Sequence, residues 1–514
     1  MENAISRPLL LESAASLFGA KLKKYKVPAI AGMVIGLLAY MFAFTNKLVN
    51  HDEVFTLFFK GGSYSLGRWG LEILELIFPN YSMPWIYGIF TIALITASVC
   101  VIISIFSIRS KLLQVLLAGS VMVFPSLIGT FTYMFTSSSY AVSFLLAVLA
   151  VWLLNKLDKR TVIPALICMI GSLSIYQSYI AVAASLLVLT LIQRLLKEEE
   201  ILPIVKSGIF FVLFLIVSLG VYYAGTMVIN KLRGVGFNSY AGGNLSFSFA
   251  EIPQRIVLAY QNFPKFFSGY RGLMNGLFSQ LLHTLCLVLT GVLLFVWGFS
   301  RKKVQLPRIL WLVALIAVMP LAINCMYLFT TEDAVHTLVL YGFVAVYVLA
   351  VITGDLCLAL IPEGKLSRLA LNAMGFVLAL IIAGNTYLAN EAYLLLHLRY
   401  ENAYSFYTSL VADIKMTPGF NEDTKLAVIG TWQEPSFYLE KFPFSDHLTG
   451  TDGFLPDIYS KDRFLEYYLG FPIPMASEEE IAAITATPEY EEMASYPYYG
   501  SLQLIDDILV VKLS

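Results

Sequence analysis

The chain has 514 residues, of which 58% are hydrophobic and 13% charged, and its mean hydropathy is +0.74. Soluble domains carry about 25% charged residues, so this deficit is too large for a globular enzyme and ordinary for a membrane bundle. Lys plus Arg (34) and Asp plus Glu (35) nearly cancel, so no bulk charge points to nucleic acid.

Lys21, Lys23, Lys24 and Lys26 precede the first apolar run, and no small-residue cleavage site follows it. That run therefore reads as a retained span rather than a signal peptide. Stretches of about 20 apolar residues cross about 30 Å of hydrocarbon. They fall near 27–46, 84–108, 112–130, 137–155, 161–176, 178–196, 203–228, 276–299, 307–328, 336–354 and 369–389. The expected fold is a polytopic α-helical membrane protein of about eleven transmembrane helices. With a cytoplasmic N-terminus (1–26), the cytoplasmic loops hold Arg109/Lys111, Lys156/Lys159/Arg160, Arg194/Lys197, Arg301–Lys303/Arg308 and Lys365/Arg368. The opposite short loops, near 131–136 and 329–335, contain no Lys or Arg. This bias sets the orientation and puts the tail outside the cytoplasmic membrane.

Two outer loops are long, 47–83 and 229–275. In the second, Ile252, Ile256, Ala259, Tyr260 and Phe263 recur at helical spacing. This pattern fits a helix lying on the membrane surface and fits equally an ordinary packed loop helix. The transmembrane region is read as 27–389. From 390 to 514, Asp, Glu and Pro become common. A helix over 400–415, a strand at Val428–Ile429, and a hairpin of Leu502–Leu504 and Ile508–Val511 around Asp506–Asp507 predict a small extracytoplasmic α/β domain. Cys100, Cys168, Cys286, Cys325 and Cys357 lie in or beside apolar runs without metal-ligand spacing and read as apolar filler.

The main candidate for chemistry is His51–Asp52–Glu53, directly after the first span. Charges at a membrane boundary are costly without partners or a task. The pair can supply a general base or bind a divalent cation such as Mg or Mn through hard oxygens; a plain solvated acidic loop is the alternative. Phe55, Phe58 and Phe59, then Lys60, then Gly67–Arg68–Trp69–Gly70 follow. Arg68 can fork onto a phosphate, and Lys60 and Trp69 extend the pocket. Tyr133 and Tyr140 flank Thr136–Ser139 at a helix junction, where hydroxyls and rings can bind sugar or simply cap and pack helices. Arg233 and Arg271 are further candidate phosphate partners; headgroup contact is their plainer role.

An acidic pair after the first span followed by Gly–Arg–Trp resembles the polytopic glucosyltransferases that decorate bacterial O-antigens and related surface glycans. Their plan is that of the GT-C class. Ser174–Ile175–Tyr176–Gln177–Ser178–Tyr179 resembles the family's Tyr–Gln segment, and Tyr498–Tyr499–Gly500–Ser501 with Val510–Val511–Lys512 its ending. The resemblance implies transfer of a hexose, glucose in the family's best-known members, from a polyprenyl-phosphate sugar to a surface polysaccharide or related glycan on the outer leaflet. It also implies an upstream membrane glycosyltransferase and a flippase that make and deliver the donor. It makes Asp52 the base, Glu53 its orienter or a metal ligand, Arg68 a phosphate ligand or a support for the acidic pair, and Tyr176 and Gln177 pocket walls. The family often has an arginine where this chain has Glu332–Asp333–Ala334–Val335–His336; His336 can take the phosphate role only when protonated.

Competing readings are a transporter or flippase for a lipid-linked glycan, a glycan polymerase or ligase, and a non-catalytic assembly protein. A transporter would favour mid-span charges and two related halves, and neither stands out. No Walker A loop or Rossmann glycine pattern is present, which suits a donor other than a nucleotide sugar.

Overall fold

The computed structural model describes residues 24–58, 62–237, 249–268, 276–300, 306–360, 365–432, 437–442, 448–451 and 459–513. Its helices are α1 (Lys26–Thr45), α2 (His51–Thr56), α3 (Trp69–Leu74), α4 (Pro84–Phe106), α5 (Lys111–Met122), α6 (Pro125–Thr132), α7 (Met134–Leu154) and α8 (Lys159–Ile175). There follow α9 (Ile180–Leu196), α10 (Ile201–Arg233), α11 (Ile252–Phe267), α12 (Gly276–Ser300), α13 (Leu306–Ile323), α14 (Val344–Leu360) and α15 (Lys365–Met416). Among the described residues nine helices are long and apolar enough to cross a membrane, ten if the bent pair α5–α6 is one span. The segment expected at 161–176 forms α8, a helix of 17 residues.

The bend of 43° between α5 and α6 has a local cause. Pro125 has no N–H to donate, which ends α5 and restarts the chain as α6 with proline at its first position. Carbonyls freed at such a break need donors inside an apolar bundle. Buried tyrosines supply them: Tyr341 donates to Val121 O (2.8 Å) and Tyr40 to Met122 O (2.6 Å). Tyr393 donates to Ile128 O (2.8 Å) within α6.

The helix expected over Ile252–Phe263 is present as α11. It is packed through Ala259, Asn262 and Phe266, with Phe266 stacked on Phe343 at 3.8 Å. All five cysteines are free thiols.

Beyond the bundle, strands β1 (Lys425–Ile429), β2 (Leu502–Ile505) and β3 (Ile508–Lys512) form a sheet in the order β1-β3-β2, with β1 parallel and β2 antiparallel to β3. The β2–β3 turn is Asp506–Asp507, both at positive φ, as a tight two-residue hairpin requires. No break separates this tail from the bundle at 389–390, because α15 runs through that point for 52 residues. Helix α16 (Lys461–Tyr467) packs the tail against α2.

Candidate active site

Helix α2 is held at both ends of one side chain. Asn50 caps it, its Oδ1 accepting from Glu53 N–H (2.9 Å), while its Nδ2 donates to Thr132 O at the end of α6 (2.8 Å). An Asn cap before acidic first-turn residues is a favourable helix start. It fixes the direction in which Asp52 and Glu53 leave the backbone. Asn50 is 1% exposed.

Asp52 opens into a cavity of about 870 Å³ lined by residues of α2, the 62–71 segment, Tyr133, Tyr140, Tyr176, His336, Thr449 and Tyr459. Arg68 reaches the same cavity. Its Nη1 donates to the Tyr140 hydroxyl (3.0 Å), and its guanidinium sits 5.2 Å from the Tyr176 ring centre. Tyr140 and Tyr176 stack at 4.2 Å. A guanidinium above a ring and beside a hydroxyl is held in one orientation at the cavity wall.

The glycines around Arg68 explain its placement. Gly67 has φ +72°, and a Cβ there would lie 2.6 Å from the Tyr222 hydroxyl; at Gly70 it would lie 2.1 Å from Ser174 Oγ. Only glycine allows this close approach of α3 to α8. Gln177 locks the loop from behind, donating to Leu66 O (2.9 Å) and to the Tyr222 hydroxyl (2.8 Å).

The tail closes the cavity. Tyr459 donates its hydroxyl to Asp52 Oδ1 (2.8 Å), and its ring meets His51 and Phe55 edge-on. Thr132 donates to Thr449 O (3.0 Å), and Thr449 Oγ1 lies 3.4 Å from His336 Nδ1. Buried Arg399 of α15 donates to Thr451 O, fixing the same segment.

A family profile described as Glucosyl transferase GtrII matches residues 41–349. This chain belongs to that family. The match spans Asp52, Arg68, Tyr176 and His336, and stops short of Thr449 and Tyr459. No curated protein and no solved structure matches the chain. A GtrII chain with this bundle is a membrane glucosyltransferase acting on a glycan.

In this glucosyltransferase Asp52, Arg68, Tyr133, Tyr140, Tyr176 and His336 line one cavity. Gln177 and Trp69 stand outside that lining: Gln177 braces the loop, and Trp69 Nε1 donates to Thr226 of α10 (3.2 Å). Arg233 ends α10 with its guanidinium 5.1 Å from the Tyr64 ring, also outside the lining. Lys60 and Arg271 lie outside the described residues. The Ser137 and Ser138 hydroxyls bond Thr91 and Tyr87 of α4 and so hold helices together.

Glu53 parts company with Asp52. It is fully buried, and neither carboxylate oxygen has a partner in full hydrogen-bond geometry. Burial raises its pKa to about 7, with Ser82 and Lys47 close enough to oppose the rise in part. The two carboxylates thus do not converge as a ligand pair. Among the described residues no group of three His, Cys, Asp or Glu could hold a metal. Asn50, Thr449 and Tyr459 went unrecognised in the sequence. Asn50 carried a signal, an N-cap residue before two acids; the other two depend on a fold of the tail that local pattern does not reveal.

Proposed function

We propose that this glucosyltransferase takes glucose from a polyprenyl-phosphate glucose at the outer face of the cytoplasmic membrane and gives it to a hydroxyl of a surface polysaccharide. The observation that carries this reading is one cavity holding an accessible carboxylate, Asp52, and an oriented guanidinium, Arg68, both on the loop that follows the first span. Arg68 would fork onto the donor phosphate. Asp52 would accept the proton of the attacking hydroxyl as the new bond from glucose C1 to the acceptor oxygen forms. The bond from C1 to the phosphate oxygen breaks, and the polyprenyl phosphate leaves with that electron pair. His336 would add a second donor to the phosphate when protonated.

Basic residues at the far end support the orientation. Arg109, Lys111, Lys156, Lys159, Arg160, Arg194 and Lys197 cluster at helix ends away from Asp52, the pattern of cytoplasmic loops. Counting the bent pair as one span and α8 as another gives eleven crossings and an outer tail.

Purified protein in detergent, given polyprenyl-phosphate glucose and polysaccharide, should transfer glucose. Asp52→Asn should lower that rate at least about 100-fold, the usual worth of a positioned general base. A parent-like rate in the variant removes Asp52 from the chemistry.

A further inference from the structure

Helix α2 has a second cavity beside it, of about 650 Å³. Phe58, Tyr81, Tyr400, Tyr467 and Tyr468 bring five aromatic rings to its wall, with Lys47 and Glu466 of opposite charge. Phe58 is 69% and Tyr81 40% exposed, which is unusual for rings that a core could use. Behind this wall lie buried polar atoms: both Glu53 carboxylate oxygens, Ser82 Oγ and the Tyr468 hydroxyl. The first three lie close together, and Glu53 also acts electrostatically on Tyr468.

Ser82 lies close enough to Glu53 to lower its pKa, so these groups serve one another, and a ligand meets the rings and the Lys47–Glu466 pair of the wall instead. Such a ligand must offer an apolar face to the rings and groups that both donate and accept beside Lys47 and Glu466, and needs no net charge. A hexose residue has this chemistry: its C–H face packs on aromatic rings, and its hydroxyls both donate and accept. An anionic ligand would meet one carboxylate, Glu466, beside one ammonium, Lys47, so the wall has no net charge to attract it.

We propose that this second cavity binds sugar residues of the acceptor glycan, adjoining the one that receives glucose. The acceptor then passes over α2, with its held units on the Glu53 side and its reacting hydroxyl on the Asp52 side. This rests on the proposed transfer to a polysaccharide, and the two can fail separately.

The test uses full-length Asp52→Asn protein, so that bound acceptor is not consumed. The probe is a fluorescently labelled oligosaccharide cut from the producing cell's surface polysaccharide, followed by fluorescence anisotropy. Phe58→Ala with Tyr467→Ala should raise the Kd about tenfold, the worth of two lost aromatic contacts. Tyr81→Ala, at an exposed ring, should raise it several-fold, about half as much on a logarithmic scale, and serves if the double variant does not fold. No binding by the Asp52→Asn protein, or a Kd unmoved by these substitutions, overturns the inference. A parent-like transfer rate in Asp52→Asn overturns instead the reading on which it rests.

Discussion

Asp52 and Glu53 are neighbours in a helix of six residues, and consecutive helical side chains leave the axis about 100° apart. That angle sends one carboxylate to the open cavity and the other into the protein. Adjacent acids therefore take different work. Unfolded, Glu53 ionises near 4.5; folded, near 7. Between those values the folded chain holds the extra proton, so stability falls as pH rises, and the loss levels off above about 7. The loss is on the order of 3 kcal/mol. Glu53→Gln removes the titration. Its Tm in detergent should exceed the parent's at pH 8 and match it near pH 4; the same difference at both pH values would refute the burial argument. The acidic pair was visible in the sequence, but which acid faces the cavity was not. That depends on Asn50 bonding Thr132, 82 residues away.

Among elements, the loop from Gly62 to Gly70 and helix α8 act as one part. Tyr176 supplies a ring for Arg68, Gln177 holds the loop, and Ser174 abuts Gly70. Gly70→Ala would place a methyl group 2.1 Å from Ser174 Oγ and 3.0 Å from its backbone, forcing α3 away and moving Arg68. Glucosyl transfer should fall more than about tenfold, as a misplacement of about 1 Å can cost more than that. Gly225→Ala, in a helix with nothing within 4 Å of the new methyl, should leave the rate near the parent's. Equal rates for the two variants would show that the close approach is dispensable. Hydropathy located the long helices because twenty apolar residues announce themselves. It blurred α5–α6, where one proline splits an apolar run. It placed the tail's start at 390, where composition changes and the helix does not.

At the scale of the whole chain, the bundle and tail meet at Asp52. The family match ends at residue 349, yet Thr449 and Tyr459 help enclose the cavity. Sequence pattern found the strands of the tail but had no means of docking them, since the bonds from Tyr459 to Asp52 and Thr132 to Thr449 span 407 and 317 residues. The proposed orientation has a direct check. An impermeant maleimide should label Tyr499→Cys, a fully exposed site, in intact cells, and Lys197→Cys only after permeabilisation. The reverse pattern would invert the topology. The native thiols Cys286, Cys325 and Cys357 are buried and should stay silent.

Helix α15 gives this arrangement a mechanical consequence. Its 52 residues make a rod of about 78 Å at 1.5 Å per residue, more than twice the roughly 30 Å of hydrocarbon it crosses. A membrane helix answers a thicker or thinner bilayer by changing its tilt. Here the same rod carries Arg399, which grips Thr451 and so the segment against His336. A change of tilt within the lipid would therefore carry Arg399 with it, and through Arg399 the tail segment beside the cavity.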